Sequence, residues 1–141
     1  MKSYINYQSG YKYQLLLDYV HQLPLTYPFV PHEIETNFLW LSEDGGLIIK
    51  EGYAWDGPSG PTIDTKNFMR GSIVHDALYQ LIREGHLDKN VWRILADREL
   101  YRIVREDGMW WVRAKIVYYA VRVFGNPSAR STGGRPIEQA P

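Results

Sequence analysis

Beyond residue 65 the apolar residues recur at helical spacing, in runs that stop at Gly85, at Asp107-Gly108 and at Gly125-Asn126-Pro127. The first run carries Ile73, Val74, Ala77, Leu78, Leu81 and Ile82 on one arc of a wheel turned 100° per residue. It fits a helix from about Lys66 to Glu84, with Asp64 or Thr65 as N-cap and Gly85 as terminator. The second run places Trp92, Ala96, Leu100, Tyr101, Ile103 and Val104 together, with Asp88 as N-cap and an end near Asp107-Gly108. A third helix is expected from about Met109 to Phe124. In it Trp110-Trp111 and Tyr118-Tyr119 are expected to pack against a sheet.

The first half of the chain has a different grammar. Tyr11 to Val20 is rich in Tyr and Leu and is expected to form one strand. Leu23 to Pro31 holds Pro24, Pro28 and Pro31 and should be irregular or an edge. Phe38 to Leu41 and Leu47 to Lys50 flank Ser42-Glu43-Asp44-Gly45-Gly46, a hairpin pattern in which Asp-Gly supplies the positive φ of the turn. Trp55 to Pro61 then forms a loop set by Gly57, Pro58, Gly60 and Pro61. Strands first and helices after give an α+β class, a small antiparallel β region followed by three helices. At 141 residues the expectation is one domain over residues 1–126, with 127–141 a Pro-, Gly- and Ser-rich tail.

Composition narrows the chemistry. There is no cysteine, so disulfides, thiolate nucleophiles and Cys-bound zinc are excluded. No run approaches the roughly 18 apolar residues of a membrane span. Met1-Lys2-Ser3-Tyr4 has no apolar stretch behind its lysine, so no signal peptide is expected. The net charge of zero hides an asymmetry: residues 1–65 hold 3 Lys/Arg against 8 Asp/Glu, and residues 66–141 hold 13 against 8. The basic half can meet an anionic partner, and Arg98, Arg102 and Arg105 form a stripe suited to phosphate. The same asymmetry is also explained by attraction between the two halves. His21, His32 and His86 have no ligand-spaced neighbours, and no phosphate-binding or dinucleotide fingerprint occurs.

One constellation carries chemistry. His75 lies at the edge of the apolar arc of the first helix, with Tyr79 one turn on and on the same face. Asp76 falls on the other side, with Ser72, Gln80 and Arg83, and is expected to face a cleft or solvent. Asp97 falls inside the apolar arc of the second helix. A carboxylate there needs partners, because burying it alone is very costly. The available partners are the His75 imidazole and the Tyr79 phenol. An aspartate behind a histidine fixes its tautomer and stabilises the imidazolium, which is the wiring of a general base.

Two resemblances bear on these residues. Trp55-Asp56-Gly57-Pro58-Ser59-Gly60-Pro61, Val74-His75-Asp76-Ala77-Leu78-Tyr79, Ala96-Asp97 and Val121-Arg122-Val123-Phe124-Gly125 resemble, in order and spacing, a family of phage and prophage proteins of unknown function, DUF1353. That resemblance covers roughly residues 50–125. It implies a phage context, with the host cytoplasm or the virion as location and other phage proteins as partners. It implies no activity.

The second resemblance is local. His75-Asp76-Ala77-Leu78-Tyr79 is similar to the His-Asp-x-x-Tyr helix of secreted phospholipases A2, and Asp97-Arg98 to the Asp-Arg of their second long helix. It implies His75 as the base that activates water, Asp97 and Tyr79 as its support, and Asp76 as a ligand to calcium. Gly57 and Gly60 would then lie in the nearest counterpart of a calcium loop. The cysteine scaffold and the Gly-rich calcium loop of those enzymes are absent from this sequence.

Two readings of function follow. In one the protein is a phage-associated hydrolase using His75 as general base, with a divalent cation such as calcium at Asp76. In the other it is a non-enzymatic virion component or host-factor-binding protein. The His/Asp/Tyr network then serves to fix a helix pair.

Overall fold

The computed structural model describes residues 5, 7–8, 13–55 and 66–128. Among them are seven short strands followed by three helices, an α+β architecture. They fall into two compact units, one built from strands and one from helices.

The strand unit holds two antiparallel sheets. The first has the order β1 (Tyr7–Gln8), β2 (Tyr13–Leu15), β7 (Ala54–Trp55). The second has the order β3 (Tyr19–Gln22), β6 (Gly46–Ile49), β5 (Leu39–Leu41), β4 (Ile34–Glu35). Leu39 pairs with Ile49 and Leu41 with Leu47, while Ile49 also faces Tyr19 and Leu47 faces His21. All six side chains are buried, so period-2 alternation puts one continuous face of this sheet out of water. The hairpin between β5 and β6 turns at Gly45, whose φ of 93° suits glycine. Ser42 tightens it, with Oγ accepting from the Gly46 amide at 2.8 Å and donating to Asp44 Oδ1 at 2.6 Å.

The single strand expected over Tyr11 to Val20 is two strands in different sheets. Leu15 closes β2, exchanging hydrogen bonds with Tyr53 and Gly52. Leu16 and Leu17 then turn outward and are exposed. Asp18 accepts from the Glu51 amide at 2.7 Å, and β3 begins at Tyr19. This hydrogen bond to a residue 33 positions on ties the bend to the start of the turn after β6 and overrides the β-propensity of the run.

The helical unit comprises α1 (Lys66–Arg83), α2 (Lys89–Glu106) and α3 (Trp111–Ser128). Its punctuation follows capping physics. Gly85 has φ 82°, and its amide bonds Ile82 O while the His86 amide reaches Leu81 O. Gly108, at φ 99°, repeats the motif with Arg105 O and passes the chain to Met109, whose amide bonds Val104 O. Asp88 caps α2 by accepting from the Asn90 amide at 2.9 Å. The third helix runs past Gly125-Asn126-Pro127, expected to stop it, and ends at Ser128.

Contacts fix the direction of each helix. Arg70, at the start of α1, binds Asp107 at 2.9 and 3.0 Å and also pairs with Glu106, both beyond the last turns of α2 or within them. Gly71 lies against Leu100 and Val104, and His75 against Asp97, so α1 and α2 are antiparallel. Tyr101 meets Tyr118, and Arg93 meets Val121 and Arg122, so α2 and α3 are antiparallel as well. Phe68, Leu100, Val104, Met109, Ala114 and Val117 form the buried centre where the three helices converge. Burying side chains of this size contributes about 1.5–3 kcal/mol each.

Two expectations about helix faces are corrected. Ser72 and Gln80, placed with Asp76 on an open face of α1, are buried, and α1 is enclosed on nearly every side. Trp110, Trp111 and Tyr119, expected to pack inward, are exposed, and Tyr118 is half-buried. The inward face of α3 is supplied by the smaller Ala114 and Val117 instead.

Candidate functional site

The site grows from three positions at helical spacing. His75 and Tyr79 are four residues apart on α1 and project from the same face, with ring centroids 4.1 Å apart and planes tilted by 37°. Asp97 lies opposite them on α2 and is wholly buried, at 0% exposure. Its Oδ1 lies 2.7 Å from His75 Nε2 and accepts the Tyr79 hydroxyl proton at 2.6 Å. Its Oδ2 accepts from Arg122 Nη1 of α3 at 2.8 Å. One buried carboxylate thus ties all three helices together, and its charge is met by a guanidinium that is only 29% exposed.

The hydrogen-bond pattern sets the chemistry of the imidazole. An ionised carboxylate is acceptor-only, so the nitrogen facing Asp97 must carry the proton. That nitrogen is Nε2, which leaves Nδ1 as the basic lone pair of the neutral ring. Nδ1 lies 3.9 Å from Asp76 Oδ1, beyond direct hydrogen-bond reach. The Asp76 side chain is 38% exposed, and the His75 ring is buried to within 9% of full enclosure.

The titration properties follow from these neighbours. Burial pulls the His75 imidazole down, but the nearby Asp76 carboxylate and the hydrogen-bonded Asp97 carboxylate outweigh it, and the net displacement is upward. Burial pushes the Asp97 carboxyl up, yet the donors His75, Tyr79 and Arg122 hold it below its ordinary value. Burial and the adjoining Asp97 carboxylate both raise the Tyr79 phenol, so it stays protonated and remains a donor.

The structure therefore brings His75, Tyr79 and Asp97 together and places Asp76 on the remaining nitrogen's side. Gly57 and Gly60, expected to offer loop carbonyls, lie outside the described residues, as does the N-cap at Asp64 or Thr65. Among the described residues no three His, Cys, Asp or Glu side chains group closely enough to hold a metal ion. Asp76 supplies a single carboxylate and does not by itself make a cation site.

Three participants were missed by sequence reasoning. Arg122 neutralises Asp97. Arg93 donates to Val121 O and Arg122 O, and its charge is felt by Tyr79. Gly125 is buried where a Cβ would stand 2.6 Å from Tyr79 Oη, so only glycine admits the phenol there. Arg122 and Gly125 both lie in the Val121-to-Gly125 segment that carries part of the phage-family resemblance. Nothing in helical periodicity alone assigns them a partner.

The basic stripe of α2 is largely engaged. Arg102 pairs with Glu99 and with Glu106, and Arg105 donates to Met109 O at 2.9 Å. Arg98 is exposed and has no ion-pair partner among the described residues. No helix among the described residues is long and apolar enough to cross a membrane. No family model, no curated protein and no solved structure matches this chain.

Proposed function

We propose that this is a phage-associated hydrolase in which His75 acts as general base. One observation carries the reading: Asp97 engages Nε2 and leaves Nδ1 as the free basic nitrogen. In that arrangement Nδ1 takes a proton from a water molecule as the oxygen attacks an acyl or phosphoryl centre. Asp97 holds the ring in the required tautomer and stabilises the imidazolium as it forms. The upward displacement of His75 makes the neutral imidazole a stronger base. Tyr79 and Arg122 act through Asp97: they fix the carboxylate and keep it ionised. The resemblance to phospholipases A2 suggests an ester as the first substrate class to test.

A second reading is favoured by burial. Asp97 is fully enclosed and fully bonded, and the His75 ring is nearly so. A polar network of this kind also fixes a helix packing without any reaction. On that reading the protein is a non-enzymatic virion component or host-factor-binding protein, and an anionic partner would meet α2 at Arg98.

Hydrolysis of phospholipid vesicles and of soluble aryl esters, with and without calcium, separates the two. The catalytic reading expects turnover that falls by about 10²–10⁴-fold in His75→Gln, the usual contribution of a general base. Absence of turnover on both substrate classes, or turnover unchanged in folded His75→Gln, would leave the structural reading standing.

A further inference from the structure

On the outer surface of the helical unit, α2 and α3 enclose an open groove of about 400 Å³ lined by Arg98, Tyr101, Lys115, Tyr118 and Tyr119. The residues recur at helical spacing: Arg98 and Tyr101 on α2, then Lys115, Tyr118 and Tyr119 on α3. The three phenol rings form a chain, Tyr101 to Tyr118 at 6.2 Å and Tyr118 to Tyr119 at 5.5 Å, both edge-to-face. Neither Arg98 nor Lys115 has an ion-pair partner among the described residues, whereas Arg102 on the same helix is paired with Glu99 and Glu106. Tyr119 is 59% exposed. Two uncompensated cations beside one exposed and two half-buried phenol rings suit a ligand that joins a phosphate to a planar ring.

We propose that this groove binds a nucleotide unit, its phosphate held by Arg98 and Lys115 and its base laid against the tyrosine rings. The size supports one unit at a time, since small-ligand sites begin at about 300 Å³. A purely anionic ligand would use the cations and leave the rings idle, whereas a base has a π-face that stacks on aromatic side chains whatever its identity. The groove is open, so the unit can belong to a free nucleotide or to a single strand that continues beyond it. The site is separate from the His75 centre and does not depend on its being catalytic.

Fluorescence anisotropy of the full chain with a labelled single-stranded thymidine oligonucleotide of about ten units tests this. Unlabelled mononucleotide and inorganic phosphate serve as competitors. Binding is expected, with a salt dependence of log K on log salt near −1.4 for two phosphate contacts, falling to about −0.7 in Lys115→Gln or Arg98→Gln. Tyr119→Ala should weaken binding at least about fivefold, the lower end of a base stack. Displacement by mononucleotide well below the phosphate concentration needed identifies a free nucleotide as sufficient. Failure of mononucleotide to displace a bound strand identifies the strand as the ligand. The proposal is overturned if neither probe binds, if phosphate competes as well as mononucleotide, or if folded Tyr119→Ala binds within twofold of the parent.

Discussion

Replacing Asp97 by alanine removes an acceptor shared by all three helices. Two buried donors lose their partner: the hydroxyl of Tyr79 and Nε2 of His75, both on buried residues. Each buried donor left unsatisfied costs about 1–3 kcal/mol. Arg122 also loses its counter-charge, but it is partly exposed and can turn to water, so its share is discounted. The two together cost about 2–6 kcal/mol, a span that includes the roughly 3–5 kcal/mol found when one partner of a buried charged pair is removed. Asp97→Asn keeps an oxygen for His75 and Tyr79 but presents an amide to a guanidinium, and should cost less, about 1–3 kcal/mol. Urea unfolding followed by far-ultraviolet circular dichroism measures both. A double-mutant cycle adds the specificity: in a Tyr79→Phe background, Asp97→Ala should cost at least about 0.5 kcal/mol less. An Asp97→Ala variant within about 1 kcal/mol of the parent, or no coupling to Tyr79, would refute the network as a stabilising unit.

Further outcomes follow from the same geometry. Because the folded His75 pKa is raised above 6.5, its contribution to stability is present below that pH and lost as pH rises through the folded value. Stability profiles of the parent and His75→Gln should therefore diverge in that window, with His75→Gln the flatter. Because Asp97 is held below 3.8, its contribution is present above that pH and lost as pH falls through the folded value, so acid unfolding should be less steep in Asp97→Asn. Gly125→Ala sets a methyl 2.6 Å from Tyr79 Oη and should cost about 1–3 kcal/mol by thermal melting, with part of the loss recovered in Tyr79→Phe. Gly71→Ala should also destabilise, since its added methyl would stand 2.9 Å from both Leu100 Cδ1 and Val104 Cγ1, which are buried in the helical core. Asp76→Asn, with its side chain partly in solvent, should leave the melting temperature almost unchanged, so any loss of function it shows is chemical.

The pairing of His75, Tyr79 and Asp97 was legible because a helical wheel states which residues share a face, and a carboxylate among apolar neighbours must find a donor. Asp88, Gly85 and Gly108 were legible for a similar reason: caps have few chemical solutions. What lay beyond reach depends on contacts between elements far apart in sequence. Arg122 reaches Asp97 across 25 residues, and no local pattern marks it. Gly125 reads as a helix stop, yet its role is to leave room for Tyr79 inside a continuing helix. Trp110, Trp111 and Tyr119 read as core because they are large and apolar, but a close helix contact at Ala114 and Val117 leaves them outside. Leu16 and Leu17 misled in the same way, since their apolar character hid the bend that separates β2 from β3.

The central claim is that Asp97 fixes His75 with Nε2 protonated and Nδ1 free to accept a proton. Long-range proton–nitrogen correlation spectra of the imidazole, recorded above its pKa, read this directly. The expected result is a protonated Nε2, a bare Nδ1, and loss of that tautomer preference in Asp97→Ala if the fold survives or in Asp97→Asn if it does not. A neutral ring protonated at Nδ1, or a tautomer ratio untouched by both substitutions, would contradict it.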